Sequence, residues 1–149
     1  MLTVLGGESQ YGTEDKMNEQ KWPNHLVIVR HGESERNVLK EAAKLSGQTE
    51  SFSDGIRDMD TLLTEDGGRQ ALRTGKFLAS RYEFDASFSS PYRRAVETTE
   101  RILQAYEVRP PVIQEERLRE LEFGMFDGLT WDAVKSRYPG LSTTYNYKQ

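Results

Sequence analysis

Short apolar runs alternate with longer periodic or polar stretches along the chain. The run Leu26–Val29 is continuous and rich in β-branched residues, which is typical of a strand covered on both faces in a parallel sheet. Two shorter segments, 85–89 and 112–114, predict further strands. Because segments with helical spacing separate these strands, the pattern is typical of an α/β fold.

Helices are predicted between and after these strands. Helix formers over Glu33–Leu45 follow the first strand. Thr64 is a favourable N-cap for a second helix. Ser90-Pro91 predicts the start of a third helix that runs to about Tyr106, and Pro139-Gly140 ends a short fourth one. The second and third helices present apolar faces formed by Ala71, Gly75, Leu78, Ala79 and Tyr82, and by Ala95, Thr98, Ile102, Leu103 and Tyr106.

The stretch from Ser46 to Asp60 is polar and predicts a loop near the end of the first strand. Its carboxylates Asp54, Asp58 and Asp60 suggest a cation site only weakly, because the spacing of a calcium-binding loop is missing. We therefore expect a solvated loop.

Charged and titratable residues follow the first strand directly. Arg30 and His31 stand where a buried strand ends and a helix begins, and ligands of open α/β sheets bind at that edge. The free N–H groups and the positive end of the helix dipole favour anions there. Arg30 offers a charged fork for phosphate oxygens, and His31 can present an unprotonated ring nitrogen as a nucleophile.

A second pair of cations lies in the first turn of the third helix. Arg93 and Arg94 oppose the helix dipole there, which costs a little stability unless an anion lies nearby. Successive helix positions point about 100° apart, so only one of these arginines is expected to face a pocket. From these residues alone, a surface arginine is the preferred interpretation.

Four ordered segments resemble the signature of the histidine phosphatase superfamily, the phosphoglycerate mutase-like group. They extend over about residues 26 to 130, and their order is far more specific than any one of them. The segments are Val29–Ser34, Leu63–Gly67 with Gln70 and Ala71, Ser90–Ala95 with Thr98, and Leu118–Glu120 followed by Phe123, Gly124 and Gly128.

This resemblance implies a set of site residues and a mechanism. His31 would attack the phosphorus of a phosphate ester and form a phosphohistidine, while Glu120 would protonate the leaving oxygen. Arg30, Asn37 and Arg94 would hold the phosphoryl oxygens. The family needs no metal and no cofactor. It also implies a three-layer α/β/α sandwich with a mainly parallel sheet, phosphoglycerate mutase-like and here incomplete at the C-terminus.

One departure from the family concerns its second catalytic histidine, which comes from a late His-Gly segment. This chain has only His25 and His31, and His25 lies at the far end of the same strand. We expect residues 25–149 to be the N-terminal part of a histidine phosphatase domain and residues 1–24 to be a mobile extension. A fragment of a longer protein is the preferred explanation; a natural short form and a site completed by another subunit are the alternatives.

Composition and charge limit the classes of molecule that this chain is expected to bind. The chain has 149 residues and a net charge of -4 without any Lys/Arg-rich run, which argues against nucleic-acid binding. It lacks cysteine, so disulfides and thiolate catalysis are excluded and a cytoplasmic location is expected. No membrane segment is expected. A small phosphorylated substrate is the expected partner, and the oligomeric state is left open.

Three functions are compatible with these residues. A phosphatase of small phosphate esters is preferred, with its activity impaired in a truncated chain. A phosphoglycerate mutase is the alternative, but the Trp that usually follows the first motif in mutases is replaced by Glu35-Arg36-Asn37. The third is a module that binds a phosphorylated ligand without turnover.

Overall fold

The computed structural model describes residues 2–7, 23–47, 50–52 and 54–142. Four strands and five helices, joined by three short 3-10 turns, make up the described chain. The strands are β1 Leu2–Gly7, β2 His25–Arg30, β3 Ala86–Ser89 and β4 Val112–Gln114. The helices are α1 Glu35–Leu45, α2 Glu65–Ala79, α3 Arg93–Leu103, α4 Trp131–Arg137 and α5 Pro139–Ser142, and the 3-10 turns are Asp58–Asp60, Glu116–Leu118 and Gly124–Phe126.

The strands form one sheet in the order β2-β1-β3-β4. β1 runs antiparallel to both β2 and β3, and β3 pairs in parallel with β4. Three of the four strands, β2, β3 and β4, therefore point the same way and bring their carboxyl ends to one edge. The α/β fold class is confirmed.

The inner strand β1 comes from the segment predicted as a mobile extension. Leu2–Gly7 pairs with β2 on one side and with β3 on the other, so the prediction for residues 1–24 does not hold at this segment. The apolar residues of this segment are too sparse to predict a strand. The strand is stabilised by main-chain hydrogen bonds to its neighbours on both sides, which the apolar pattern does not reveal. Residues 1 and 8–22 lie outside the described residues.

One face of the sheet is covered by α2 and α3. Val27 and Val29 of β2 pack against a buried cluster from these helices and the segments after them. Gly75 permits the close approach of the two helices, because a Cβ there would lie 2.4 Å from the carbonyl oxygen of Ile102. The cluster consists of Ala71, Leu78, Phe84, Ile102 and Leu103.

The opposite face of the sheet is exposed. Leu26 and Ile28 are 51% and 54% exposed, and Ile113 of β4 is 44% exposed. The prediction that β2 is covered on both faces is therefore wrong for the described residues, where the side chains alternate between the core and solvent. In the expected three-layer sandwich, this exposed face is the one that the third layer would cover.

One predicted helix start is confirmed and another is shifted along the chain. Thr64 caps α2 by accepting a hydrogen bond from the N–H of Gly67 at 3.0 Å, as predicted. The third helix begins at Arg93, later than Ser90-Pro91 predicts, and its N-cap Tyr92 makes no side-chain cap. Across the described ranges, every helix is too short or too polar to cross a bilayer.

Candidate active site

His31 lies directly after β2 and is partly buried. Its Nδ1 is 2.6 Å from the carbonyl oxygen of Gly32. A carbonyl oxygen can only accept, so Nδ1 carries the proton in this contact. In the neutral ring Nε2 then keeps its lone pair, which is the form that an imidazole nucleophile requires.

The surroundings of His31 favour this neutral form. Burial is the main cause that lowers the pKa of His31 below its usual 6.5, and the charges of Arg94 and Arg30 lower it further. The hydrogen bond to Gly32 acts in the opposite direction and raises the pKa. The net effect is a ring that stays unprotonated at neutral pH.

A tight junction holds the loop that carries His31. The N–H of Gly32 donates to Oγ1 of Thr98 on α3, at 3.1 Å, and that hydroxyl donates to the carbonyl oxygen of Arg94. Gly32 also lies against the first turn of α2, where a Cβ on Gly32 would be 2.4 Å from the carbonyl oxygen of Gly67. The backbone around His31 is thus fixed by two helices.

Arg94 lies in the first turn of α3 and is only 4% exposed, whereas its neighbour Arg93 is exposed. This agrees with the prediction that one of the two arginines faces inward. Its Nη1 and Nη2 bind the two carboxylate oxygens of Asp58 at 3.0 Å each, and its guanidinium lies 5.0 Å from the centre of the Tyr92 ring. The bidentate geometry is the one that guanidinium adopts with carboxylates and phosphates.

The prediction of a solvated loop is wrong at Asp58. This residue lies in the 3-10 turn Asp58–Asp60 and joins Arg94 to Arg36 of α1, whose Nε is 3.2 Å from Asp58 Oδ1. Composition suggested solvent because the loop is polar, but a buried cation on α3 requires a charged partner. Neither Asp58 nor Arg36 was predicted as a site residue, and only the unfavourable position of Arg94 in its helix signalled a nearby anion.

Two other predicted residues flank His31 in different ways. Arg30 is the last residue of β2, and its side chain is exposed while its charge acts on His31. Asn37 closes the cap of α1: its Oδ1 accepts from the backbone N–H of Ser34 at 3.1 Å and from the Ser34 hydroxyl at 3.0 Å. Its predicted role as a phosphate ligand stays a prediction.

Glu120 lies between the 3-10 turns Glu116–Leu118 and Gly124–Phe126 and is partly buried. The neighbouring Arg119 has its guanidinium 5.5 Å from the centre of the Tyr92 ring, the same ring that Arg94 contacts. Because both arginines contact the Tyr92 ring, the segment that contains Glu120 lies on the same side of the site as Arg94. The role of Glu120 as the proton donor stays a prediction.

A cleft of about 240 Å³ opens beside these residues, with Asp58, Tyr92, Glu122 and Asp127 in its wall. A larger groove of about 650 Å³ lies between α2 and α3, and His31 is in the wall of neither the groove nor the cleft. The smaller cleft is the more relevant one, because it contains the carboxylate that occupies Arg94. Within the described ranges, no group of three or more His, Asp or Glu side chains is arranged to hold a metal ion.

Comparison with known families agrees with the motifs that surround this site. The model of the histidine phosphatase superfamily (branch 1) matches residues 26–148. The chain belongs to the histidine phosphatase superfamily. The match starts at β2 and includes the segments of His31, Arg94 and Glu120.

Relatives of this superfamily member include phosphoglycerate mutases. A phosphoglycerate mutase of Schizosaccharomyces pombe is 35% identical over 126 residues, which are 82% of this chain and 53% of the relative. A 2,3-bisphosphoglycerate-dependent phosphoglycerate mutase of Haemophilus ducreyi is 34% identical over 115 residues, 76% of this chain and 45% of the relative. The chain thus spans about half the length of the curated relatives it matches.

A solved structure of the same fold shows a similar coverage. Mycobacterial hydrolase 1 superposes with a TM-score of 0.54 at 25% identity, and the match covers 77% of this chain and 48% of that protein. The phosphoglycerate mutase-like fold predicted for this superfamily member is confirmed.

Proposed function

We propose that this domain transfers a phosphoryl group from a small phosphate monoester to His31 and then to water, as a phosphatase does. The observation that carries the proposal is the hydrogen bond from His31 Nδ1 to the carbonyl oxygen of Gly32, which leaves Nε2 unprotonated beside two arginines. Nucleophilic attack on phosphorus needs this lone pair, and the cations offset charge on the phosphoryl oxygens.

In the first step, Nε2 of His31 forms a bond to phosphorus while the ester P–O bond breaks. Glu120 gives its proton to the departing alcohol oxygen, and Arg94 and Arg30 balance the charge spread over the phosphoryl oxygens in a loose transition state. In the second step, water attacks phosphorus and gives a proton to Glu120. The N–P bond breaks, inorganic phosphate leaves, and neutral His31 is restored.

A phosphoglycerate mutase activity is the second candidate, and the names of the two sequence relatives favour it. The two candidates share the phosphohistidine and differ only in the acceptor, which is water in one and a hydroxyl group of phosphoglycerate in the other. Mutases usually have a Trp shortly after the first motif, whereas this chain has Glu35-Arg36-Asn37 there. This difference favours water as the phosphoryl acceptor.

A module that binds phosphorylated ligands without turnover is the third candidate. It is favoured by the ion pair between Arg94 and Asp58, because Arg94, the proposed phosphate ligand on α3, is already engaged by a carboxylate. In all three cases a small phosphorylated molecule is the proposed partner, and the lack of cysteine supports a cytoplasmic location.

The decisive experiment compares the two histidines of the chain. The protein is incubated with p-nitrophenyl phosphate or with 3-phosphoglycerate, released phosphate and isomerised product are measured, and the acid-labile phosphoenzyme is detected by mass spectrometry. H31A should lose the phosphoenzyme and at least about 10³-fold in rate, as expected for a missing nucleophile. H25A should keep both, because His25 is at the far end of β2.

Each result selects one candidate. Steady phosphate release supports the phosphatase, isomerised phosphoglycerate supports the mutase, and saturable phosphate binding without a phosphoenzyme supports the binding module. Full turnover by H31A would eliminate the mechanism.

A further inference from the structure

Two arginines from different helices converge on the carboxylate of Asp58. Arg94 of α3 donates from Nη1 to Oδ1 and from Nη2 to Oδ2 at 3.0 Å each, and from Nη1 to the backbone carbonyl of Asp58 at 2.6 Å. Arg36 of α1 brings its Nε to within 3.2 Å of the same Oδ1. One anionic group is therefore bound by two guanidinium groups at once.

Both guanidinium groups are held in place by their surroundings. The side chains of Arg94 and Arg36 are 5% and 14% exposed, and that of Asp58 is 22% exposed. Arg94 lies over the ring of Tyr92, and Arg36 lies 5.3 Å from the centre of the Phe52 ring while its Nη2 pairs with Asp127. Cations with so little contact to water require an anion, so this position is built for one.

We propose that Arg36 and Arg94 form a two-arginine phosphoryl site and that the Asp58 carboxylate is its internal resting ligand, displaced when a phosphoryl group binds. The inference rests on the proposed function, since it takes Arg94 as a phosphate-binding residue. It adds Arg36 as a second cationic ligand and assigns Asp58 as a competitor for the site.

The chemistry of the two ligands supports such an exchange. Carboxylates and phosphoryl groups accept the same parallel pair of hydrogen bonds from a guanidinium group. A phosphoryl group carries more charge and has three oxygens, so it suits two cations better than the single charge of Asp58 does. The cleft of about 240 Å³ beside Asp58 and Tyr92 gives the displaced carboxylate space to move into.

The first test measures binding of inorganic phosphate by calorimetry to the intact chain and to two carboxamide variants. D58N removes the internal competitor and should bind phosphate at least about tenfold more tightly, which corresponds to about 1.4 kcal/mol. D60N is the matched control, because Asp60 lies in the same turn but pairs with the exposed Arg57. It should bind phosphate as the unaltered chain does. Unchanged or weaker binding by D58N would overturn the proposal.

The second test concerns Arg36. In the D58N background, R36Q should lose the gain in phosphate affinity, while R57Q should keep it. Full phosphate affinity of the D58N/R36Q variant would show that Arg36 is not a ligand.

A measurement on the unaltered chain guards against misfolding of D58N, which leaves the buried Arg94 without its carboxylate and Arg36 with Asp127 as its carboxylate partner. Phosphate should shift the carboxyl ¹³C resonance of Asp58 in a labelled sample and leave that of Asp60 in place. An Asp58 resonance that stays fixed at phosphate saturation would refute displacement.

These readouts use no turnover, so they separate the two proposals. If D58N gains phosphate affinity while no phosphohistidine forms in any variant, the two-arginine site stands and the catalytic proposal fails. If phosphohistidine forms and D58N gains nothing, the catalytic proposal stands alone.

Discussion

The two sides of the candidate site are built differently. On the nucleophile side, the loop after β2 is fixed by the contact between Gly32 and Gly67 and by the hydrogen bond to Thr98, all buried. On the acid side, the segment around Glu120 exposes Leu121 and Phe123 to solvent. Packing therefore determines the position of His31 much more strongly than that of Glu120.

The segment around Glu120 is held mainly by ion pairs between exposed side chains. Arg119 pairs with Glu116 and Glu122 within its own segment, and all three lie at the surface. Such exposed pairs contribute at most about 1 kcal/mol each, less than a buried helix contact. The comparison indicates that the backbone around His31 is held by packing, while the segment of Glu120 is held by weaker local interactions.

The largest expected effect tests whether the acid side contributes chemistry. E120Q should slow phosphorylation of His31 by an alkyl phosphate by about 10² to 10⁴-fold, because an alkoxide leaves poorly without a proton. With p-nitrophenyl phosphate the loss should be much smaller, since that phenolate leaves without protonation. Single-turnover kinetics with both substrates measure the difference.

The control for this prediction is E122Q. Glu122 is exposed and pairs with Arg119, so its replacement should leave both rates nearly unchanged. Equal losses for E120Q and E122Q, or equal losses with both substrates, would contradict the acid role.

The next largest effect tests the packed side. G67A should destabilise the domain by about 3 kcal/mol, because the new Cβ would lie 2.0 Å from the carbonyl oxygen of Glu33 and force the two backbones apart. G68A is the matched control in the same helix turn: its Cβ meets nothing closer than 3.7 Å, and alanine improves helix propensity. Urea unfolding followed by circular dichroism measures both, and similar stabilities for the two variants would argue against the tight junction.

A smaller effect is expected from the hydroxyl that ties His31 to α3. T98V should cost about 1 kcal/mol or somewhat more, because it leaves the buried N–H of Gly32 without its acceptor. T99V is the control, because Thr99 is equally buried and its hydroxyl donates to the carbonyl oxygen of Ala95 in the same helix. Chemical unfolding compares the two variants, and a larger loss for T99V would refute the proposed tie.

The smallest expected effect concerns the charge around His31. The pKa of His31 lies below 6.5 because of burial and of the charges of Arg94 and Arg30, so its ring takes up a proton at a lower pH than in the unfolded chain. The folded state then binds this proton more weakly than the unfolded state, and the contribution of His31 to stability is present above pH 6.5 and lost at lower pH.

R30Q should raise the pKa of His31 only slightly, because Arg30 is exposed and its charge is screened. R93Q should leave it in place. Imidazole ¹⁵N resonances followed against pH provide the measurement, and a midpoint above 6.5 in the unaltered chain would contradict the proposed environment.

Several parts of the fold could be predicted because they depend on neighbours in sequence. The Thr64 cap and the strand His25–Arg30 follow from local hydrogen bonding and the pattern of apolar residues. Helical spacing predicts that one of Arg93 and Arg94 faces inward, and the family resemblance selects Arg94. The strand Leu2–Gly7 could not be predicted, since its pairing with β2 and β3 involves residues far away in the chain.

The sequence by itself determined the superfamily, the order of the motifs and the candidate nucleophile, because each motif is a short run of neighbouring residues and the order of the motifs can be followed along the chain. Only the tertiary structure decided which anion meets Arg94. Asp58 is 36 residues away from Arg94, and nothing in its polar loop distinguishes it from Asp54 or Asp60. The choice depends on where the folded backbone brings a carboxylate within reach of a buried cation, and sequence spacing does not encode that distance.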